Sequence, residues 1–147
     1  MIVVAFIGGA LALMAAAGAY WWHRNGDSIV ASSRAALDDG HRRGLSVDEG
    51  VCLGEALLRH APNRGDSMSE AISRSLWLNA CLASSRVAPS FCEGVPPPHE
   101  FIDLGNWVKT ACARQGSADA SCQTLYQEVA KYCASPQRVA KLASSAT

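Results

Sequence analysis

The first 22 residues contain no side chain charged at neutral pH, the whole chain has no excess of charge of either sign, and its six cysteines include no close pair. Each absence excludes something. Thirteen basic residues balance thirteen acidic ones, and Lys and Arg do not cluster. That argues against nucleic acid or an acidic polymer as partner. The tightest cysteine gap, Cys112 to Cys122, leaves nine residues between. Zinc sites and thioredoxin-like redox sites use close C-x-x-C pairs, so neither a metal nor a redox role is expected. Val, Ile and aromatics are sparse beside Ala and Ser, which favours helix, and no strand pattern competes.

Catalytic patterns are equally scarce. His23, His41, His60 and His99 are scattered, and none sits in H-E-x-x-H. Gly65-Asp66-Ser67 and Gly26-Asp27-Ser28 echo a serine-esterase block, but that chemistry needs a parallel sheet to present its serine. Ser67 reads better as a helix cap. Arg64-Gly65-Asp66 spells an adhesion tripeptide that arises readily by chance in turns. No catalytic residue, cofactor or enzyme activity is expected.

What is present begins with the apolar run Met1 to Trp22. As a helix it would extend about 33 Å, enough to cross a hydrocarbon core. Tyr20-Trp21-Trp22 followed by His23 and Arg24 suits a membrane interface. Ala17-Gly18-Ala19 also resembles a signal-peptide cleavage site, but a positive leading region is missing. A retained anchor over 1–23 is the expectation, with cleavage near Ala19 the alternative. Ala5 and Gly9, Gly8 and Ala12, and Ala12 and Ala16 lie four apart, where a partner's transmembrane helix would approach closely. Gly8, Gly9 and Ala12 are therefore candidate partner-binding residues.

Residues 24–45 read as a juxtamembrane connector with a short helix from Ser28 to Asp38, ending near Gly40 and Gly44. Residues 46–136 read as a domain of four helices in two antiparallel hairpins, and 137–147 as a flexible tail. The first helix starts at a capping box, Ser46-Val47-Asp48-Glu49, with Val47, Val51, Leu53, Leu57, Leu58 and Ala61 on one arc. Gly50 and Gly54 share that arc and suggest a closely packed neighbour. After a turn at Pro62 to Asp66, the second helix spans about Ser67 to Ser85. Met68, Ala71, Ile72, Leu76, Leu78 and Leu82 form its apolar side, with Trp77 and Cys81 opposite.

The third helix runs from about Pro98 to Arg114, burying Phe101, Leu104, Trp107, Val108, Ala111 and Cys112. The fourth runs from about Ala120 to Ala134, with Cys122, Leu125, Tyr126, Val129 and Cys133 on one face, and Ser135-Pro136 ends it. Trp77, Trp107 and Phe91 are candidate aromatic anchors for a partner.

Helix geometry prunes the fifteen possible cysteine pairings. Cys122 and Cys133 share a face but stand about 16 Å apart along the axis, beyond disulfide reach. Cys112 and Cys122 lie equally far from Ser117 and pair across the turn. Cys133 then takes Cys92, leaving Cys52 for Cys81. An arrangement with Cys81–Cys92 and Cys52–Cys133 stays open. The Cys112 to Cys122 spacing resembles half of a twin C-x9-C hairpin of the mitochondrial intermembrane space. The other gaps of that kind are ten, so the resemblance stops there. Saposin-like and plant lipid-transfer patterns do not match.

Disulfides place the domain in an oxidising compartment. Arg24, Arg34, Arg42 and Arg43 all follow the apolar run, which by charge alone would keep the carboxyl side inside. Six thiols idle in a reducing cytosol is the harder case to accept. The expectation is a bacterial inner-membrane protein, single-pass, with a periplasmic helical domain that serves as accessory or assembly subunit. Its partners would be membrane lipid and another membrane protein subunit. The alternative is a secreted helical effector, inhibitor or lipid-binding protein.

Overall fold

In the computed structural model the backbone is described for residues 2–59, 67–117 and 119–145, and the side chains for these residues except 2–12 and 25. The turn at 62–66, His60, the Arg64-Gly65-Asp66 tripeptide and the surroundings of Ala5, Gly8, Gly9 and Ala12 lie outside the described residues. The described chain is all helical: α1 Ile2–Gly44, α2 Glu49–Leu58, α3 Met68–Ser84, a 3₁₀ turn Pro89–Cys92, α4 Phe101–Arg114, α5 Ala120–Cys133 and α6 Pro136–Ser145. It divides into two units, residues 1–34 and 35–147.

Within the first unit, α1 continues through the expected connector without a break. Gly26 does not interrupt it. The indole of Trp22 comes within 3.2 Å of where a Gly26 Cβ would stand, so the glycine makes room for the ring. Leu13, Met14, Tyr20, Trp21 and Trp22 are all exposed. Arg24 reaches back one turn, donating to the Tyr20 hydroxyl at 3.2 Å. Among the described residues, no helix is long and apolar enough to cross a membrane. Residues 1–12, half of the uncharged run, have no described side chains.

In the second unit the main core gathers Val47, Cys52 and Ala56 with Trp77, Leu78, Cys81 and Leu82 of α3 and Leu125, Val129 and Tyr132 of α5. A smaller cluster joins Val108, Cys112, Cys122 and Tyr126. Leu53, Leu57 and Trp107 touch both. Cys52 is bonded to Cys81, Cys92 to Cys133 and Cys112 to Cys122, and no cysteine is left free. These are the favoured pairs of the sequence reading, the arrangement with Cys81–Cys92 and Cys52–Cys133 does not occur, and the bridges tie α2 to α3, the 3₁₀ turn to α5, and α4 to α5.

Several local expectations are corrected. The cap of α2 is Asp48, whose Oδ1 accepts from the Val51 N–H at 3.0 Å, while Ser46 donates back to the Arg43 carbonyl. The Ser67 cap does form, as a capping box with Glu70. Gly40 and Gly44 end no connector helix but bring α1 onto α3. A Cβ on Gly44 would lie 2.5 Å from the Cys81 carbonyl oxygen, and one on Gly40 would collide with that of Trp77. Gly50 and Gly54 meet no neighbouring helix, since nothing comes within 4 Å of a Gly54 Cβ.

The segment after Ser135 is no loose tail. Ser135 Oγ accepts from the Arg138 N–H and Pro136 takes the first turn of α6, an arrangement that starts a helix. Arg138 is buried, and it meets Glu49, which is completely buried at the first turn of α2.

Candidate functional site

Among the described residues, a groove with room for a ligand lies between α4 and α5. On α4, Phe101, Gly105 and Val108 repeat at helical spacing, and Leu104 and Pro98 complete an apolar floor. On α5, Gln123, Gln127 and Lys131 form a row four residues apart, and Lys109 stands on the α4 side. The groove between the rows encloses about 320 Å³. That is the low end of the range for small-molecule or side-chain pockets.

The sequence builds this groove locally. The Pro96-Pro97-Pro98 stretch delays α4 until Phe101, so its first turn projects Phe101 and Ile102, each 80% exposed. On α5, Asp119 accepts from the Cys122 N–H at 2.8 Å and fixes the helix start. The Cys112–Cys122 bridge then clamps the two helices with a Cα separation of 5.9 Å, and Cys92–Cys133 holds the far end of α5. A groove framed this way is preorganised, which lowers the ordering cost of binding.

Chemically the groove can hold, and it has little with which to react. Its lining has no acid, histidine, hydroxyl or thiol, and its two lysines are its ionisable groups. Lys131 is held by Glu128 at 2.7 Å, and Glu128 also accepts from Asn79 at 3.0 Å. Lys109 makes no ion pair among the described residues. Those residues also contain no group of three metal-ligating side chains.

The structure places the expected anchor residues differently. Trp77 is 2% exposed. Its indole N–H donates to Asp39 Oδ2 at 2.6 Å, and the Arg59 guanidinium lies 4.0 Å over its ring. It fastens α3 to α1 and presents nothing to a partner. The Trp77 bond and the nearby Arg59 charge hold the Asp39 carboxyl below the usual carboxylate range. Trp107 is half-buried and packs edge-on against Tyr126, with centroids 5.4 Å apart. Phe91 is half-buried against the main core. Phe101, expected inside, is instead displayed at the mouth of the groove. Val51, Leu58, Met68 and Ile72, also placed inward by the periodicity, are exposed.

Two polar clusters escaped sequence reasoning. His41 Nδ1 lies 2.5 Å from Ser84 Oγ, a pairing that superficially suggests a nucleophile and base. Ser84 already donates its proton to the Ala80 carbonyl at 2.9 Å, so the contact is a structural tie from α1 to α3. The second is Glu49. Its carboxylate accepts from Tyr132 Oη at 2.8 Å, Arg138 Nε at 3.1 Å and the Ala88 N–H at 2.9 Å. Lys141 extends the cluster, donating to the Tyr132 hydroxyl at 3.0 Å and the Leu82 carbonyl at 2.8 Å. Burial and the Glu49 charge push the Tyr132 hydroxyl well above its ordinary value. Every member is satisfied, and Glu49, Tyr132 and Arg138 are buried with Lys141 half-buried at the edge, so this cluster holds the fold together.

No family model matches the chain, and neither a curated protein nor a solved structure is significantly similar to it.

Proposed function

We propose that the chain is a non-catalytic accessory or assembly subunit of a membrane protein complex. Its N-terminal segment sits in the bilayer as a single-pass anchor, and its helical domain binds a partner subunit outside the cytosol. In a bacterial cell that is the inner membrane with the domain in the periplasm. One coincidence carries the reading: a helical opening without charge that exposes Leu13, Met14, Tyr20, Trp21 and Trp22, followed by six cysteines all joined in bridges. Large apolar side chains displayed together call for lipid or protein against them. Complete cysteine pairing suits an oxidising compartment. The α4–α5 groove supports a binding role, its lining being apolar and amide side chains with two lysines.

The test is membrane fractionation of the expressed full chain, followed by gentle detergent extraction and mass spectrometry of what copurifies. Retention in carbonate-washed membranes with stoichiometric companions supports the reading. A free monomer beginning at Tyr20 would overturn it and favour the secreted alternative, with cleavage after Ala19.

A further inference from the structure

The residue that needs explaining is Gly105. It stands inside α4, where glycine is markedly less favourable than alanine. Close helix contact offsets that cost at Gly40 and Gly44 but not at Gly54 or Gly105, and of the last two it is Gly105 that lines the groove. A Cβ there would meet nothing within 4 Å, and the position opens directly onto the groove. The vacancy deepens the floor between Phe101, Leu104 and Val108 without serving any packing within the described chain. A backbone approaching from outside would use that notch.

We infer that the α4–α5 groove receives a short amphipathic helix of the membrane partner, its bulky apolar side chains seated over Gly105 and its carboxylates facing Lys109 and Lys131. This rests on the subunit reading and names the partner's chemistry. The two lining rows, Phe101–Gly105–Val108 and Gln123–Gln127–Lys131, repeat at helical spacing and form a channel that suits a third helix laid between them. Phe101, 80% exposed and lining one end of the groove, supplies the apolar contact on which a helix docks. The lining carries two lysines and no acid; Lys131 is already shared with Glu128 at 2.7 Å, so Lys109, which has no ion-pair partner among the described residues, is the cation open to a partner's carboxylate. A hydrocarbon chain fits less well, because two glutamines and two lysines line the groove beside its apolar floor.

The test uses the full chain in detergent and a fluorescein-labelled amphipathic peptide with leucines at i, i+4 and i+7 flanked by glutamates. Controls replace the glutamates by lysines or scramble the leucines. The glutamate peptide should bind, more weakly at high salt, and both controls should lose about tenfold or more in affinity. Gly105→Leu should abolish binding by filling the notch. Gly105→Ala should raise the melting temperature yet weaken binding, a combination that a merely structural glycine would not give. Lys109→Glu with Lys131→Glu should reverse the preference toward the lysine peptide.

Unchanged binding by Gly105→Leu would overturn the inference, as would oleate that binds in the groove while the peptide does not. The same variant separates the two readings in extracts. Companions kept by both wild type and Gly105→Leu would sustain the subunit reading and sink the groove. Absence of companions from the wild type would sink the subunit reading itself.

Discussion

Arg138 and Glu49, 89 residues apart, form an ion pair sealed inside the domain, with Nε 3.1 Å from Oε1 and side chains 7% and 0% exposed. Burying two charges is expensive, and the geometry offsets the cost with a full set of partners. Glu49 also takes the Tyr132 hydroxyl and the Ala88 N–H, while Arg138 Nη2 donates to the Ala88 carbonyl at 3.3 Å. One carboxylate thereby joins α2, α5, α6 and the segment before the 3₁₀ turn. Lys141 adds a cation at the C-terminal carbonyls of α3, where a positive charge complements the helix dipole.

Removing one partner strands the other. Arg138→Ala should cost about 3–5 kcal/mol, read as a lowered urea midpoint, because Glu49 is left charged and buried. Glu49→Leu combined with Arg138→Met should recover most of that loss. A single Arg138→Ala variant that unfolds with wild type would show that α6 is not fastened by this pair.

The three bridges should differ in worth. Cys112–Cys122 closes 10 residues, Cys52–Cys81 closes 29 and Cys92–Cys133 closes 41. Loop-closure entropy then assigns about 3 kcal/mol to the shortest and about 4 kcal/mol to the longest. Paired Cys→Ser variants compared by thermal melts should rank in that order. A native sample treated with a thiol-reactive probe should label at no cysteine until it is reduced.

How much of this was legible in the sequence depends on whether the signal was local. The four bundle helices α2 to α5, the Ser67 cap and the Cys112–Cys122 pairing follow from spacing along single helices and across one turn. The face of α3 did not. Counting apolar residues selects Leu78 and Leu82 correctly but also Met68 and Ile72, which are exposed, because the Cys52–Cys81 bridge and the Trp77–Asp39 hydrogen bond rotate the buried face to take in Trp77 and Cys81. Ser135-Pro136 reads as a stop, although a capping serine followed by proline equally begins a helix, and only Arg138 finding Glu49 decides between them. The Cys112–Cys122 spacing already lays α4 beside α5, but nothing in the sequence turns Gly105 toward the gap between them.

Glycines that look alike in sequence should behave in opposite ways. Gly44→Ala would set a Cβ 2.5 Å from the Cys81 carbonyl oxygen and 2.8 Å from the Ser84 Cβ, and backbone cannot step aside as a side chain can. A loss of about 1–3 kcal/mol is expected there and at Gly40. Gly54→Ala fills open space in the interior of α2 and should gain about 0.8–1 kcal/mol through helix propensity. Equal effects at the two sites, measured by chemical denaturation, would contradict the packing described for α1 on α3.

Acid should loosen the attachment of α1 first. The Trp77 N–H holds Asp39 below its ordinary value, and Arg43, bonded to the Glu55 carboxylate, does the same for Glu55. A carboxylate whose native pKa is depressed binds its proton more readily in the unfolded chain. Its stabilisation is therefore complete above the unfolded value near 4 and disappears as pH falls through the lower native value. Both groups are partly solvated, so each contributes about 0.2–1 kcal/mol. Melting temperature should hold above pH 5 and decline below about pH 4, with the Trp77 environment changing in step. Asp39→Asn keeps an acceptor for the indole but cannot titrate, so it should flatten that decline. An acid limb as steep in Asp39→Asn as in wild type would assign the transition to other carboxylates.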